Sequence, residues 1–224
     1  MAHQAAHRTQ ATETSRGDRS KASPAIFPSA KLDRLTRAHP ATPALLFLPV
    51  TLMLISMAVT HIGAANAAAY AGAGYLFWSL CEYWGHRAVF HFEPEHGIGA
   101  RVHWMIHGVH HDHPNDPRRL VLPPAFSIPL AALFYLLFAF VIGTPDAWAV
   151  AAGFYVGYVI YDSLHFALHH ARPKSRIGRK LRELHMRHHF EDHNRGFGVS
   201  APWWDVVFNT RPARQGSTHR ARER

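Results

Sequence analysis

Two long stretches of the chain carry almost no charge, and they predict its main helices. Between Arg37 and Glu82 there is no Asp, Glu, Lys or Arg, and between Arg119 and Asp162 there is only Asp146. A membrane-spanning helix needs about 20 mostly apolar residues, so each stretch is long enough for two spans joined by a short turn. We therefore predict an all-α integral membrane protein with four transmembrane helices. The predicted spans cover residues 43–60, 65–84, 124–142 and 145–170.

The segments around these spans predict the domain organisation. Gly143 can end the third span, Thr144 can cap the fourth, and Pro145 suits a first helical position. The first 35 or so residues are polar and do not resemble a cleavable signal peptide. We expect a disordered cytosolic N-terminal tail over residues 1–40, a membrane domain over residues 41–210 and a basic, flexible C-terminal tail over residues 211–224.

The distribution of Lys and Arg predicts the topology. Seven precede the first span, four lie between Glu82 and Pro123, thirteen follow His170, and the two intervening turns have none. Positively charged residues accumulate on the cytoplasmic side, so both termini and the middle segment are expected there. Membrane orientation and contact with anionic lipid explain the net charge of +9, and no nucleic-acid-binding module is recognisable. The single cysteine, Cys81, excludes an internal disulfide and a cysteine-based zinc site.

Histidines are the main candidates for chemistry. The chain has twenty, and all but His61 lie on the predicted cytoplasmic side or at a cytoplasmic helix end. Residues three or four apart share a helix face, and imidazole is the commonest metal ligand, so the repeated spacing predicts metal binding. Four motifs with this spacing contain ten imidazoles in total, which is more than one metal ion binds, so the pattern indicates two ions. The four motifs contain His86 and His91; His107, His110 and His111; His165 and His169; and His185, His188 and His189.

One of these motifs does not fit a regular α-helix. His86 and His91 are five residues apart, which places their side chains about 140° apart on an α-helix. We therefore predict that the second span ends or distorts near residues 84–90, and that His91 comes from the loop that follows.

Three carboxylates are candidates for orienting the histidines. Glu82 lies four residues before His86, Asp162 three before His165, and Asp192 three after His189. Metal-bound histidines usually donate their second ring nitrogen to a carboxylate or a carbonyl. Ordinary interfacial charge explains Glu82 and Asp192 equally well, whereas Asp162 lies near the end of an apolar span, where a charge is costly and usually functional.

Four sequence segments carry a family resemblance. HRAVFH, HGVHHDHPNDPRRLVLPP, YDSLHFALHH and HMRHHFEDHNRGFGVSAPWWDVVFNT resemble the fatty acid hydroxylase/sterol desaturase superfamily, and the fatty acid 2-hydroxylases most of all. The resemblance covers about residues 45–210, and RLVLPP and GFGVS…WD are more specific than the histidines. It implies that the ten histidines named above ligate two metals, and that four others do not: His103, His113, His170 and His193.

The resemblance also implies a reaction. The implied cofactor is a pair of iron ions, although zinc is also possible in such sites. The implied substrates are dioxygen and a lipid, and one oxygen atom would be inserted at the carbon beside an acyl carboxyl. Many eukaryotic members carry an N-terminal haem domain, for which the polar tail here is too short, so a separate electron-donor protein and a bacterial inner-membrane location are expected. Trp203 and Trp204 suit the membrane interface.

Two other functions fit parts of the pattern. A sterol desaturase or carotenoid hydroxylase of the same superfamily would use similar histidine motifs, and product analysis distinguishes loss of two hydrogens from gain of one oxygen. A membrane metal transporter or sensor is the alternative from another class. Transporter sites lie near the bilayer midplane, whereas these histidines lie at helix ends and beyond.

Overall fold

The computed structural model describes residues 23–92, 94 and 96–212. All regular secondary structure in these residues is helical, as predicted. Two of the helices continue as π-helices, over Gly85–Phe90 after α2 and over Trp104–Gly108 between α3 and α4. The α-helices are α1 (Ala30–Leu35), α2 (Thr42–Trp84), α3 (Gly97–His103), α4 (Val109–Asp112), α5 (Pro124–Ile142), α6 (Asp146–His170), α7 (Arg176–Phe190) and α8 (Trp203–Val207).

The long helix α2 is a hairpin of two arms. Gly63 interrupts it with φ +78° and ψ 158°, a backbone conformation that residues with side chains rarely adopt. Phe47 in the first arm and Trp78 in the second both contact the ring of Tyr158 in α6, at centroid distances of 5.0 and 5.4 Å. The reversal falls in the turn predicted between residues 60 and 65, so the two uncharged segments on either side pack against the same helix.

The hairpin packs closely on α6 because small residues line the contact. A Cβ atom at Gly74 would overlap the carbonyl oxygen of Val150, and one at Gly153 would overlap the carbonyl oxygen of Ala71. Small residues allow backbones to approach, which is the usual basis of helix association in an apolar environment. α6 is therefore the central helix, with α2 and α5 packed around it.

This contact predicts opposite effects for two neighbouring glycines. Gly74→Ala would drive a methyl group into the backbone of Val150, and overpacking of this kind costs about 1–3 kcal/mol. Gly72 has open space around it, so Gly72→Ala should instead gain up to about 1 kcal/mol of helix propensity. Thermal unfolding in detergent should show a lower melting temperature for the first variant and an equal or higher one for the second. Equal behaviour of the two would contradict the close approach.

Two helices in the described residues are long and apolar enough to cross a membrane. They are Thr42–Phe90, which includes the hairpin, and α5. Large apolar side chains of α5 point away from the protein, among them Leu133, Leu136 and Phe140, the last 89% exposed. Apolar surface of this extent marks a contact with lipid or another protein.

Residues 23–40, which belong to the N-terminal tail predicted over residues 1–40, make contacts with the segment around Asp116 and Arg119. Arg37 pairs with Asp33 at 2.9 Å and with Asp116 at 3.2 Å, and Arg119 pairs with Asp33 at 3.0 Å. Asp116, only 3% exposed, also accepts hydrogen bonds from the backbone and hydroxyl of Ser23. The rest of that predicted tail, and the C-terminal tail beyond residue 212, lie outside the described residues.

Candidate metal centre

The structure brings all ten histidines of the four motifs together, in two groups of five. In each group, one ring nitrogen of every histidine lies within 4.8 Å of those of the other four. The two groups adjoin, because the rings of His111 and His189 stack with centroids 4.2 Å apart. The first histidine group is His86, His91, His107, His111 and His188, and the second histidine group is His110, His165, His169, His185 and His189.

The two HxxHH motifs contribute to both groups. The outer pair of each motif, four residues apart, enters one group, and the middle histidine enters the other. On a helix with about 100° per residue the outer pair is separated by about 40°, whereas the middle residue is turned about 60° to the opposite side. The three imidazoles of one HxxHH motif therefore do not enter the same group, and the middle residues, His110 and His188, each join the group that the other motif's outer pair forms.

The predicted distortion at the end of the second span is confirmed. Residues Gly85–Phe90 form a π-helix, and the backbone N–H of His91 donates to the carbonyl of His86 at 3.1 Å. This bond spans five residues, as in a π-helix, and brings side chains five apart onto the same face. His91 lies just past the helix end, and its Nε2 is 3.2 Å from that of His86.

Burial lowers the pKa of three histidines of the centre that lie outside the proposed spans. Burial, followed by the charge of neighbouring imidazoles, lowers the pKa of His91 to about 3 and that of His111 to about 2. Burial also lowers the pKa of His188 to about 4. A neutral imidazole has one lone pair available for a metal, so the protonation state suits metal binding.

The spacing of the ring nitrogens fits metal ions better than hydrogen bonds. The Nε2 of His91 lies 3.2 Å from that of His86 and 3.1 Å from that of His188. In the second histidine group, the Nε2 of His110 lies 3.0 Å from His165 and 3.1 Å from His189. A shared proton can join only two nitrogens, whereas a cation satisfies several converging lone pairs at once.

Two histidines of the first histidine group are oriented by backbone carbonyls. The Nδ1 of His86 donates to the carbonyl of Phe197 at 2.7 Å, and that of His188 donates to the carbonyl of Arg195 at 2.8 Å. A carbonyl only accepts, so each of these rings carries its proton on Nδ1. That tautomer leaves the Nε2 lone pair directed into the group.

The three carboxylates proposed from spacing bind other partners. Glu82, a candidate partner of His86, accepts the backbone N–H of Ser200 at 2.7 Å and also its hydroxyl. Asp162 accepts the backbone N–H of Leu122 at 3.1 Å. Asp192 accepts from the backbone of Asn194 and lies 3.6 Å from the guanidinium of Arg195.

Sequence reasoning missed Asp205. This residue is 2% exposed and accepts the backbone N–H of Phe197 at 2.9 Å, that of Gly198 at 3.0 Å and the hydroxyl of Thr210 at 2.7 Å. Together with Glu82 it fixes the loop over residues 195–200, which supplies the two carbonyls to the histidines. Asp205 is the last residue of the GFGVS…WD segment, and the family specificity of this segment is the sequence signal that points to it.

The two tryptophans before Asp205 differ. Trp203 is 42% exposed and remains suited to an interface. The indole of Trp204 donates to the hydroxyl of Ser79 in α2 at 3.0 Å, so this residue also fastens α8 to the helical bundle.

Comparison with known proteins identifies a family. The Fatty acid hydroxylase family matches residues 71–210. The chain is 36% identical over 194 residues to the dihydroceramide fatty acyl 2-hydroxylase FAH1 of Arabidopsis thaliana, covering 86% of this chain and 81% of that protein. It is 40% identical over 170 residues to the ceramide very long chain fatty acid hydroxylase SCS7 of Saccharomyces cerevisiae, covering 73% and 43%.

A human relative and a solved structure agree with this match. Fatty acid 2-hydroxylase of Homo sapiens is 37% identical over 140 residues, which are 61% of this chain and 38% of that protein. The solved structure described as full-length scs7p, with only the hydroxylase domain visible, superposes with a TM-score of 0.79 at 36% identity. It covers 84% of this chain and 71% of that chain. The chain therefore belongs to the fatty acid hydroxylase family, as its sequence motifs predicted.

Proposed function

We propose that this protein is a membrane-bound di-iron oxygenase that hydroxylates a fatty acyl lipid at the carbon beside the acyl carbonyl. The observation that carries the proposal is the pair of adjoining histidine groups, each with five converging imidazoles that are buried or half-buried. The relatives of the chain are named as a fatty acyl 2-hydroxylase and a very long chain fatty acid hydroxylase. The reaction replaces one C–H bond by C–OH, and the second oxygen atom of dioxygen leaves as water. It therefore consumes two electrons and two protons, which we assign to a separate donor protein.

Each histidine group is proposed to hold one metal ion. The ten Nε2 atoms would be the ligands, and the carbonyls of Arg195 and Phe197 hold the Nδ1 protons of His188 and His86 so that the lone pairs face the ions. Iron is proposed because, when bound, it supplies the redox chemistry that an unactivated C–H bond requires and that side chains lack. Zinc would fit the same nitrogen donors without supplying that chemistry.

The protein's own contribution is to orient the acyl chain and exclude water. Trp78, Leu130, Phe134 and Phe154 line a narrow apolar gap between α2, α5 and α6. Leu122 also lines this gap, and its backbone N–H donates to Asp162, three residues before His165. We propose that an acyl chain enters from the bilayer between these helices and that its carbonyl end reaches the histidines.

The proposed membrane arrangement has four spans: the two arms of the α2 hairpin, α5 and α6. The ends of these helices that lead to the histidines would face the cytoplasm, together with both termini. The hairpin at Gly63 and the contacts of both arms with α6 support this arrangement, as does the absence of Lys and Arg from the two opposite turns.

Analysis of lipids by mass spectrometry tests the reaction. Cells that express the chain under ¹⁸O₂ should accumulate acyl lipids that carry one labelled hydroxyl group, with fragmentation placing it beside the carbonyl. Cells that express His189→Ala serve as the control and should lack this product. Loss of two hydrogens would assign the chain to the desaturases, and metal accumulation in cells without any oxidised lipid would indicate transport.

A further inference from the structure

The two histidine groups are held in different ways. In the first histidine group, His86 and His188 donate their Nδ1 protons to carbonyls of the 195–200 loop. In the second histidine group, the buried Nδ1 atoms of His110, His185 and His189 have no hydrogen-bond partner among the residues that the structure describes. Among the contacts of the described residues, the carbonyls of this loop orient rings of the first histidine group alone.

The loop has no regular secondary structure, so side chains must hold its shape. Asp205 Oδ1 accepts the N–H of Phe197, and Oδ2 accepts the N–H of Gly198. These two bonds fix the peptide units on both sides of Phe197, whose carbonyl orients His86. Thr210 anchors the same carboxylate at 2.7 Å and also contacts the hydroxyl of Tyr83 in α2 at 2.8 Å.

We propose that Asp205 is a positioning residue for one metal ion only: it shapes the 195–200 loop, whose carbonyls orient His86 and His188, and it leaves the ion of the second histidine group unaffected. This inference rests on the proposed metal binding. Asp205 would touch neither metal nor substrate and acts through the backbone.

Asp205→Asn is the sharpest change because it preserves the size of the side chain. In the unchanged protein each carboxylate oxygen of Asp205 accepts one backbone N–H. An amide has only one acceptor oxygen, so in the variant its NH₂ group faces one of these N–H groups, and that hydrogen bond is lost. The loop must then shift at Phe197 or at Gly198. Loss of a group that orients a ligand typically weakens metal binding about 10- to 100-fold, and we expect this loss in the first histidine group.

The experiment measures zinc, as a redox-inert probe, bound to the purified full chain in detergent. At zinc concentrations that fill both groups of the unchanged protein, Asp205→Asn should retain about one ion per chain. In a His189→Ala background, where the second histidine group is disabled, adding Asp205→Asn should remove most of the zinc bound to the first histidine group. Combined with His91→Ala, which disables the first, it should cause no further loss. A general loosening of the fold would lower zinc binding in both backgrounds.

Asp116→Asn is the matched control. Asp116 is equally buried, at 3%, and also organises a loop, through the backbone N–H groups of Ser23 and Arg118. That loop supplies no carbonyl to the first histidine group in the described contacts, so this variant should keep the first ion. Thr210→Val, a milder change, should weaken the same ion by a smaller factor than Asp205→Asn.

The outcomes separate this inference from the proposed function. An unchanged protein that binds no zinc would overturn the proposed ligand set. Two ions retained by Asp205→Asn, or an equal loss from both groups in Asp205→Asn or Thr210→Val, would overturn the inference while leaving the ligand set intact.

Discussion

His188→Ala is expected to abolish hydroxylation and to remove one metal ion, with the protein still inserted in the membrane. His188 is fully buried, and its Nε2 lies 3.1 Å from that of His91, while its Nδ1 is fixed by Arg195. Removing an orienting partner alone typically costs 10- to 100-fold, so removing a ligand should lower turnover by more than about 100-fold. Mass spectrometry of the acyl lipids and metal analysis of the purified variant measure the two effects.

His170→Ala provides the matched control for this prediction. His170 is exposed, adjoins His169 and lies outside both histidine groups. Its replacement should leave turnover within a few-fold of the unchanged protein. Turnover that survives His188→Ala, or that falls equally in both variants, would contradict the assignment of His188 as a ligand.

Acid is expected to unfold the metal-free protein well above the pH at which its buried histidines titrate. The pKa values of His91, His111 and His188 in the folded state are about 3, 2 and 4, whereas an unfolded chain has histidine pKa values of about 6.5. Below about pH 6.5 the unfolded state therefore binds protons that the folded state does not. The free energy of unfolding must fall as the pH falls through this window, down to the folded-state values.

Unfolding followed by tryptophan fluorescence, after chelation of metals, measures this dependence. The free energy of unfolding should be highest near neutral pH and should fall by several kcal/mol between about pH 6.5 and pH 4. His111→Gln removes one of the buried imidazoles and should flatten the slope, whereas the same change at the exposed His39 should not. A stability that stays constant across this window would show that these histidines are not buried as neutral groups.

Local sequence signals predicted the helices because each signal acts within a few residues. The uncharged run over residues 124–142 coincides with α5, and the start signal at Pro145 lies next to the first residue of α6. The five-residue spacing of His86 and His91 predicted a distortion, because a regular α-helix cannot place both on one face. The ten histidines were also recognisable, since their spacing and the family resemblance agree.

The remaining features depend on contacts between distant segments. The division of each HxxHH motif between two groups requires the directions of helices far apart in sequence. The groups that orient His86 and His188 are backbone carbonyls, which leave no trace in residue identity. Likewise, residues 23–40 form hydrogen bonds with Asp116 and Arg119, some 80 to 95 residues away, and a local pattern of residues cannot predict such contacts.

The number of metal ions that one chain binds tests the central claim most directly. The full chain, loaded with ferrous iron without oxygen and freed of excess metal, should contain two iron ions per chain by elemental analysis. X-ray absorption at the iron edge should show a first shell dominated by imidazole nitrogen. A content of one ion or none, or a first shell dominated by oxygen, would contradict the assignment of two five-histidine sites.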